Sequence, residues 1–234
     1  MRDAWDAHAP EWIAWARTPG HDSYWQFHRD AFLPLVPPPG RLSLDLGCGE
    51  GRLSRDLAAL GHRVVALDAS PAMAASAAGH GGTRNPVVVG DAAALPIRAG
   101  AVDLVVAFMC LQDVDALEDA LTETSRVLAP GGRLVVAITH PASTTGAFEP
   151  GPVETKRRFV VERSWFDRAR IGAVVERDGL SMTFVSEHRP LQDYVEAIVR
   201  AGLLVEALRE VGDPRPDDKW HRMPMFLHLV ARRG

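Results

Sequence analysis

The chain has 234 residues, with 26 Lys and Arg against 30 Asp and Glu, a formal net charge of −4 and an apolar fraction of 47%. A chain of this length and composition can bury a hydrophobic core and fold alone. The slight acidic excess supplies no basic field of the kind that attracts nucleic acid or anionic membranes. We therefore expect a small-molecule partner rather than a polyanion.

The cysteines and the N-terminus bear on the compartment. Cys48 and Cys110 are the two cysteines, and neither lies at a disulfide-framework or metal-ligand spacing, which favours a reducing cytoplasm and no metal site. The opening residues MRDAWDAHAPEW are charged and interrupted, unlike a secretory leader. No run approaches the roughly 18 unbroken apolar residues of a spanning helix. We expect a cytoplasmic protein that does not enter a membrane, either a monomer or a homodimer.

Residues 1–36 carry a group of tryptophans on helical patterns. These tryptophans are Trp5, Trp12, Trp15 and Trp25. The run Pro37-Pro38-Pro39-Gly40 follows and breaks any regular element. The pattern predicts an N-terminal helical cap that is separated by this run from the first strand.

From residue 41 to 139, short apolar or β-branched runs alternate with longer helical patterns, which is typical of βαβ units. The predicted strands are residues 42–46, 63–67, 87–89, 102–108 and 133–138. The predicted helices are residues 53–60, closing at Gly61, residues 71–78, with Ser70 as N-cap, and residues 117–128, ending before Pro130. This alternation predicts an α/β, Rossmann-like doubly wound sheet that is mostly parallel.

Residues 141–187 hold more charges and turn formers, and we expect them to form a lid inserted after the fifth strand. The alternating stretches 159–164 and 180–187 predict an antiparallel pair, with Asp178-Gly179 as a turn just before the second stretch. Residues 188–234 would complete the sheet through a helix over 191–201, stopped by Gly202, and strands at 203–208 and 226–231. The chain is thus predicted to be one domain with a seven-stranded sheet.

The first predicted strand passes through Asp45-Leu46 into the turn Gly47-Cys48-Gly49-Glu50-Gly51, where glycines let the backbone approach a ligand. The dinucleotide fingerprint needs a small residue three positions after Gly49, where this chain has Arg52. No Gly-Lys-Ser/Thr follows, which argues against a P-loop. The turn therefore favours a nucleotide-like ligand other than NAD or a nucleoside triphosphate.

Acidic residues follow successive strands. Asp68 ends the second strand about twenty residues after the glycine turn, where a carboxylate can accept hydrogen bonds from both ribose hydroxyls. Asp91 follows the third strand and could accept from an exocyclic amine such as that of adenine. Asp45 and Glu50 would keep the carboxyl ends of these strands negatively charged, which suits a cationic ligand. For each carboxylate, a helix N-cap or a solvated strand end is the alternative.

Five segments of residues 41–139 carry one further pattern: LDLGCGEGRLS, VVALDAS, VVVGDAAALPI, AVDLVVAFMCLQDV and RVLAPGGRLVVAITHP. Together they resemble class I S-adenosylmethionine-dependent methyltransferases of the methyltransferase-11 or ubiquinone/menaquinone-biosynthesis type. The segment HRPLQDYVEAIVRAGL matches more loosely. The resemblance implies S-adenosyl-L-methionine as cofactor, S-adenosyl-L-homocysteine as product, and a small-molecule acceptor methylated at oxygen, nitrogen or carbon.

The resemblance also implies which residues bind the cofactor. Those expected around its methionine and ribose part are Asp45, Gly47, Cys48, Gly49 and Gly51. Those expected around the ribose hydroxyls and the adenine are Asp68, Ala69, Met73, Asp91 and Ala92. Phe108 and Met109 would lie beside the sulfonium and the transferable methyl. Met73 is equally explained as a core methionine.

Methyl transfer from a sulfonium mainly requires alignment of acceptor and methyl and exclusion of water, so few catalytic side chains are needed. A base matters only where the acceptor loses a proton, which points first to histidine. His140, where the predicted lid begins, is the preferred candidate over His188 and His221, although each could be purely structural. Asp113 is the second candidate, with a helix N-cap as its alternative role.

The acceptor is expected to meet an aromatic wall drawn from residues 1–36 and the predicted lid. The candidates are Trp5, Trp12, Trp25, Trp165 and Trp220, although ordinary packing explains them as well. Methylation of RNA or protein also stays open, although the acidic balance argues against a nucleic-acid surface. Two functions of other classes stay open as well. One is a nicotinamide-dependent oxidoreductase, which Arg52 disfavours, and the other is a module or non-methylating enzyme that keeps the cofactor site, because function is set by the site rather than by the fold.

Overall fold

The strands and helices below belong to residues 1–80 and 85–234, which the computed structural model describes. The strands are β1 (Ser43–Leu46), β2 (Val64–Asp68), β3 (Val87–Val89), β4 (Val102–Phe108), β5 (Leu128–Thr139), β6 (Gly146–Phe148), β7 (Phe159–Val161), β8 (Ala169–Arg177), β9 (Leu180–His188), β10 (Leu203–Val211) and β11 (Phe226–Arg233). The α-helices are α1 (Arg2–Ala7), α2 (Ala9–Arg17), α3 (Arg29–Phe32), α4 (Arg52–Ala59), α5 (Pro71–Gly79), α6 (Leu117–Val127) and α7 (Leu191–Arg200).

The largest sheet has seven strands in the order β10-β11-β5-β4-β1-β2-β3. Strands β1 to β5 pair in parallel, whereas β11 is antiparallel to both β5 and β10. The predicted doubly wound, mostly parallel fold is therefore confirmed. The chain reverses its direction of winding between β1 and β4, and ligands of such sheets bind at the carboxyl ends of the strands beside this point.

Strand β4 shows how the sheet is buried on both faces. Val105 and Ala107 join a core cluster with residues of α6 and α7. Leu104, Val106 and Phe108 join a second cluster with residues of α4 and of the N-terminal segment. Because side chains alternate between the faces of a strand, burial on both sides requires the continuous apolar run that predicted this strand.

The predicted elements of residues 41–139 agree with the structure to within two residues, with one exception. Strand β5 begins at Leu128, because Leu128 pairs with Val102 before the register shifts and Arg133 pairs with Leu104. The intervening Pro-Gly-Gly run lies in that irregularity, where a pattern of alternating side chains gives no signal. Ser70 caps α5 as predicted, since its hydroxyl accepts a hydrogen bond from the Met73 N–H at 3.2 Å.

The predicted pairing of residues 159–164 with 180–187 is wrong. Strand β9 pairs with β8, and β7 pairs with β6. Asp178 and Gly179 have φ angles of 49° and 78°, as a two-residue turn of type I′ requires. Such a turn joins the segments directly before and after it, so the predicted turn is correct and residues 169–177 are the partner that the pattern missed.

Helices α1 and α2 and a π-helical turn (Tyr24–His28) occupy the N-terminal segment, as the tryptophan-rich pattern predicted. The helix α7 and the strands β10 and β11 extend the sheet at the other end of the chain. None of the helices in the described part of the chain combines the length and the apolarity needed to cross a bilayer.

Candidate active site

A cavity of about 590 Å³ lies at the carboxyl ends of β1, β2 and β4. Helices α1 and α2 and the hairpin β8–β9 contribute further parts of its lining. Its volume falls in the range of small-molecule and cofactor pockets. The predicted site residues that line it are Asp45, Gly47, Cys48, Gly49, Asp68, Ala69, Met73, Asp91, Ala92, Phe108, Met109 and Asp113. Residues predicted from separate segments of the sequence therefore meet in one space.

Backbone hydrogen bonds connect the glycine turn to the end of β2. The N–H groups of Gly47 and Cys48 donate to the Leu67 carbonyl at 2.8 and 3.0 Å. The Asp68 carboxylate accepts from the Gly49 N–H at 2.8 Å and from the Ser70 N–H at 2.9 Å. Burial raises the pKa of Asp68, while these two backbone hydrogen bonds lower it. The carboxylate is thus fixed at the rim that it shares with the glycine turn.

The negative charge at the carboxyl ends of these strands is smaller than the number of carboxylates there suggests. Asp45 is buried, accepts a hydrogen bond from the Ser54 hydroxyl, and burial raises its pKa to about 7. Glu50 is also buried, and its carboxylate pairs with Arg55 at 2.7 Å and with Arg17 at 3.3 Å. The negative charge of Glu50 is therefore compensated, and Arg17 connects α2 to the glycine turn.

Gly51 is not among the residues that line the cavity, contrary to expectation. A Cβ added there would lie 3.0 Å from the Cβ and 3.1 Å from the Cα of Ala77. Its missing side chain therefore lets the glycine turn pack against α5. Asp91 lines the cavity from an exposed position, and its carboxylate accepts a hydrogen bond from the Ala93 N–H at 2.9 Å.

The end of β4 carries an unusual backbone conformation. Met109 has a φ of 53°, which L-residues other than glycine rarely adopt, and its N–H donates to the Ala137 carbonyl at 2.7 Å. A left-handed non-glycine residue costs about 1–2 kcal/mol and tends to occur at functional sites. The strain lies where the resemblance places the transferable methyl.

The structure separates the two candidates for a base. His140 does not line the cavity. Its Nδ1 accepts from the Ala142 N–H at 3.0 Å, its Nε2 lies 3.1 Å from Glu210 Oε1, and burial lowers its pKa. Both ring nitrogens are thus engaged in holding the chain after β5. His188 and His221 also lie outside the lining.

Asp113 does line the cavity. It is not the N-cap of the following helix, because α6 begins at Leu117 behind Ala116. Its Oδ1 is buried without a hydrogen-bond partner in the described chain, and burial raises the pKa of the carboxyl group well above its usual value, while Arg189 lowers it. Arg189 itself is buried and donates to the Val114 carbonyl at 2.6 Å, which holds this loop in place.

The tryptophans divide into two groups. Trp5 and Trp12 line the cavity, whereas Trp25, Trp165 and Trp220 do not. Trp25 is 57% exposed. Trp220 packs edge-on against Phe148, with ring centroids 4.9 Å apart, in a cluster outside the cavity. Of the five tryptophans predicted for the wall, the two on α1 and α2 therefore line the cavity.

Several lining residues were missed. Trp15 lies three positions after Trp12 on the same face of α2, a spacing that could have identified it. The other missed residues include Asp22, Arg52, Arg177, Phe184 and Val185. Those from β8 and β9 could not be found because the pairing of that hairpin was predicted incorrectly. Arg52, which breaks the dinucleotide fingerprint, also lines the cavity.

Residues 44–136 match the family model described as "Methyltransferase domain", the methyltransferase-11 family. The chain is similar to a demethylmenaquinone methyltransferase of Beutenbergia cavernae, 40% identical over 121 residues, which are 50% of this chain and 48% of the relative. It is also similar to a malonyl-[acyl-carrier protein] O-methyltransferase of Methylococcus capsulatus, 42% identical over 104 residues, which are 43% of this chain and 38% of that protein. The chain thus spans about half or less of the length of these curated relatives.

Among solved structures, an S-adenosylmethionine-dependent methyltransferase from Mesorhizobium loti superposes with a TM-score of 0.72 and 24% identity, covering 91% of this chain and 98% of the other. That likeness shows the fold. The sheet order and the cavity at its switch point define the class I, S-adenosylmethionine-dependent methyltransferases, and residues 44–136 are a domain of this class. Within the class, this segment matches the methyltransferase-11 family model, and the cofactor of the class is S-adenosylmethionine.

Proposed function

We propose that the chain transfers the methyl group of S-adenosylmethionine to an oxygen, nitrogen or carbon atom of a small-molecule acceptor. One observation carries the proposal: the predicted cofactor residues and an aromatic wall from α1, α2 and β9 line the same cavity. The names of the relatives support a non-nucleic-acid acceptor, since they specify demethylmenaquinone and a malonyl group on acyl-carrier protein.

The lining residues fit the cofactor part by part. Asp68 would accept hydrogen bonds from the ribose hydroxyls, with its carboxylate already held by the Gly49 and Ser70 N–H groups. Gly47 and Gly49 would present their backbone to the methionine part. Met73, buried on α5, would pack on the adenine while Asp91 faces its exocyclic amine. The other lining residues of this group are Cys48, Ala69 and Ala92.

When bound, S-adenosylmethionine supplies an electrophilic methyl carbon. The chain then has to orient the acceptor and keep water out, and effective concentration supplies most of the rate gain in such a displacement. Trp5 and Trp12 would form the apolar wall for the acceptor, and Phe108 and Met109 would pack beside the methyl. Asp113 lines the cavity with a buried carboxylate oxygen that has no hydrogen-bond partner in the described chain, so we assign it the role of base in place of His140.

The test is calorimetric titration of the protein with S-adenosylhomocysteine, followed by assay of its release from S-adenosylmethionine with a panel of acceptors. The panel contains hydroquinones, phenols, amines and carboxylic acids. We expect micromolar binding and release of the product with at least one acceptor class. No heat with millimolar ligand would refute a cofactor site. Tight binding with no turnover across the panel would contradict methyl transfer and favour a module that only binds the cofactor.

A further inference from the structure

Arg52 is the first residue of α4, and its side chain is 10% exposed. Its guanidinium carbon lies 5.1 Å from the ring centroid of Trp12, 5.0 Å from that of Tyr24 and 5.6 Å from that of Phe108. These rings come from α2, from the π-helical turn and from β4. Cation–π contacts of this kind hold a guanidinium in a fixed orientation. Three separate parts of the fold therefore position this one cation.

Arg52 has one acidic partner among the described residues, the buried Asp22, with which it forms an ion pair through Nη1. A guanidinium carries five N–H donors, and one carboxylate occupies at most two of them. The Nε and Nη2 atoms make no hydrogen bond within the described part of the chain, and they are not among its fully buried atoms without a partner, whereas Nη1 is fully buried. Both Arg52 and Asp22 line the cavity. A nine-tenths-buried cation that lines the cavity thus keeps donors without a protein partner.

The electrostatic setting also favours an additional anion. The N-terminus of a helix carries a partial positive charge, so a cation at its first position is unfavourable and an anion is favoured. Burial lowers the pKa of Arg52, and the nearby Arg55 lowers it further. Asp22 supplies one negative charge to this region. A second carboxylate at the free edge of the guanidinium would relieve the repulsion.

We propose that Arg52 binds the carboxylate group of a ligand in the cavity. The inference rests on the proposed function and adds a subsite to it. The planar fork of arginine matches a carboxylate through two parallel hydrogen bonds. The carboxylate has two sources: the methionine part of the cofactor and an acidic acceptor. Arg177 is another arginine of the lining, but its Nη1 already donates to the Gly20 carbonyl at 2.6 Å.

The first arm compares two ligands by calorimetry: S-adenosylhomocysteine and 5′-methylthioadenosine, which lacks the amino-acid part and its carboxylate. The variants are Arg52→Gln, Arg52→Lys, Arg177→Gln and, as a surface control, Arg200→Gln, whose side chain is 71% exposed. We expect Arg52→Gln to weaken S-adenosylhomocysteine about tenfold or more and 5′-methylthioadenosine less than about twofold, because a hydrogen bond to a charged group is lost only with the first. Arg52→Lys keeps the positive charge but not the planar guanidinium, so its affinity for S-adenosylhomocysteine should lie between those of the wild-type protein and Arg52→Gln.

The second arm titrates benzoate and benzamide into protein saturated with S-adenosylhomocysteine. Loss of benzoate binding alone in Arg52→Gln, with an unchanged ratio of the two adenosyl ligands, assigns the carboxylate to the acceptor. If neither arm responds to Arg52→Gln, or if only Arg177→Gln responds, the subsite is refuted. Thermal unfolding checks each variant, and Arg52→Lys replaces the glutamine variant if that one is unfolded. Failure of the wild-type protein to bind either adenosyl ligand refutes the proposed function itself.

Discussion

Gly47 and Cys110 lie so close together that a Cβ added to Gly47 would be 2.5 Å from the Cβ of Cys110 and 2.9 Å from its sulfur. Gly47 also has a φ of 68°. We expect Gly47→Ala to lower the free energy of unfolding by about 2–4 kcal/mol, because overpacking adds to the cost of a left-handed alanine. We also expect weaker binding of S-adenosylhomocysteine, since the turn must shift.

Gly131→Ala is the matched control for this substitution. Gly131 has a φ of 76°, yet a Cβ there meets nothing within 4 Å. It should therefore show only the backbone cost of about 1–2 kcal/mol and leave the affinity unchanged. Urea unfolding and calorimetry measure both quantities. Equal losses of stability in the two variants would show that Cys110 does not restrict this position.

The close contact between Gly47 and Cys110 could not be predicted from the sequence, whereas the sheet whose strands β1 and β4 lead to these residues could be. The parallel sheet was predictable because each βαβ unit is local, and strands such as Val102–Phe108 are continuous apolar runs. The convergence of Asp68 and Asp91 was predictable because the carboxyl ends of parallel strands share one edge. The hairpin β8–β9 was misread because residues 169–177 alternate weakly and lie mostly exposed.

Contacts between segments that are distant in the sequence could not be predicted, because sequence periodicity reports only on neighbouring residues. The cage around Arg52 joins Trp12 to Phe108, which are 96 positions apart, and no local period encodes it. His140 looked like a base because it follows β5 at the edge of the sheet. Its ring is turned to Glu210 and Ala142, and such a rotation depends on packing with β10 rather than on chain position.

Asp68→Ala tests the proposed ribose contact. The substitution removes the carboxylate that lies beside the glycine turn, and we expect the affinity for S-adenosylhomocysteine to fall at least about tenfold, since a charged partner of hydroxyl groups contributes roughly 1.5–3 kcal/mol. Asp68→Asn should lose less affinity for S-adenosylhomocysteine than Asp68→Ala, because one acceptor oxygen remains. Asp119→Asn, an exposed carboxylate on α6, is the control. Unchanged affinity in a folded Asp68→Ala protein would remove Asp68 from the site.

A buried pair of histidines predicts acid sensitivity. His28 Nδ1 lies 2.9 Å from His228 Nε2, and burial lowers the pKa of His28 to about 3 and that of His228 to about 4. In the unfolded chain both histidines have a pKa near 6.5, so they bind protons at pH values at which the folded pair stays neutral. Stability from this pair is therefore complete above about pH 6.5 and lost as the pH falls toward 4, by about 2 kcal/mol per histidine at pH 5.

Urea unfolding at pH 7, 6 and 5 measures this loss. The double variant His28→Phe with His228→Leu should show a flatter decline, since neither side chain takes up a proton and the neighbours Phe32 and Phe226 are apolar. His80→Gln, at an exposed position, should follow the wild-type protein. A double variant with the same decline as wild type would show that other groups cause the acid sensitivity.

Asp113→Asn separates stability from catalysis. Because burial raises the pKa of Asp113, its contribution to stability is complete at low pH and is lost as the pH rises through its folded pKa. A neutral asparagine avoids this loss, so we expect the variant to be more stable than wild type at pH 8, by at least ~1 kcal/mol, and nearly equal at pH 4.

The same variant cannot accept a proton. With an acidic acceptor from the panel, we expect Asp113→Asn to lose turnover at least about 100-fold while its affinity for S-adenosylhomocysteine is retained. His140→Gln should keep both turnover and its pH profile, because the ring lies outside the cavity and holds Glu210 and Ala142. Loss of turnover in His140→Gln together with normal turnover in Asp113→Asn would reverse the assignment of the base.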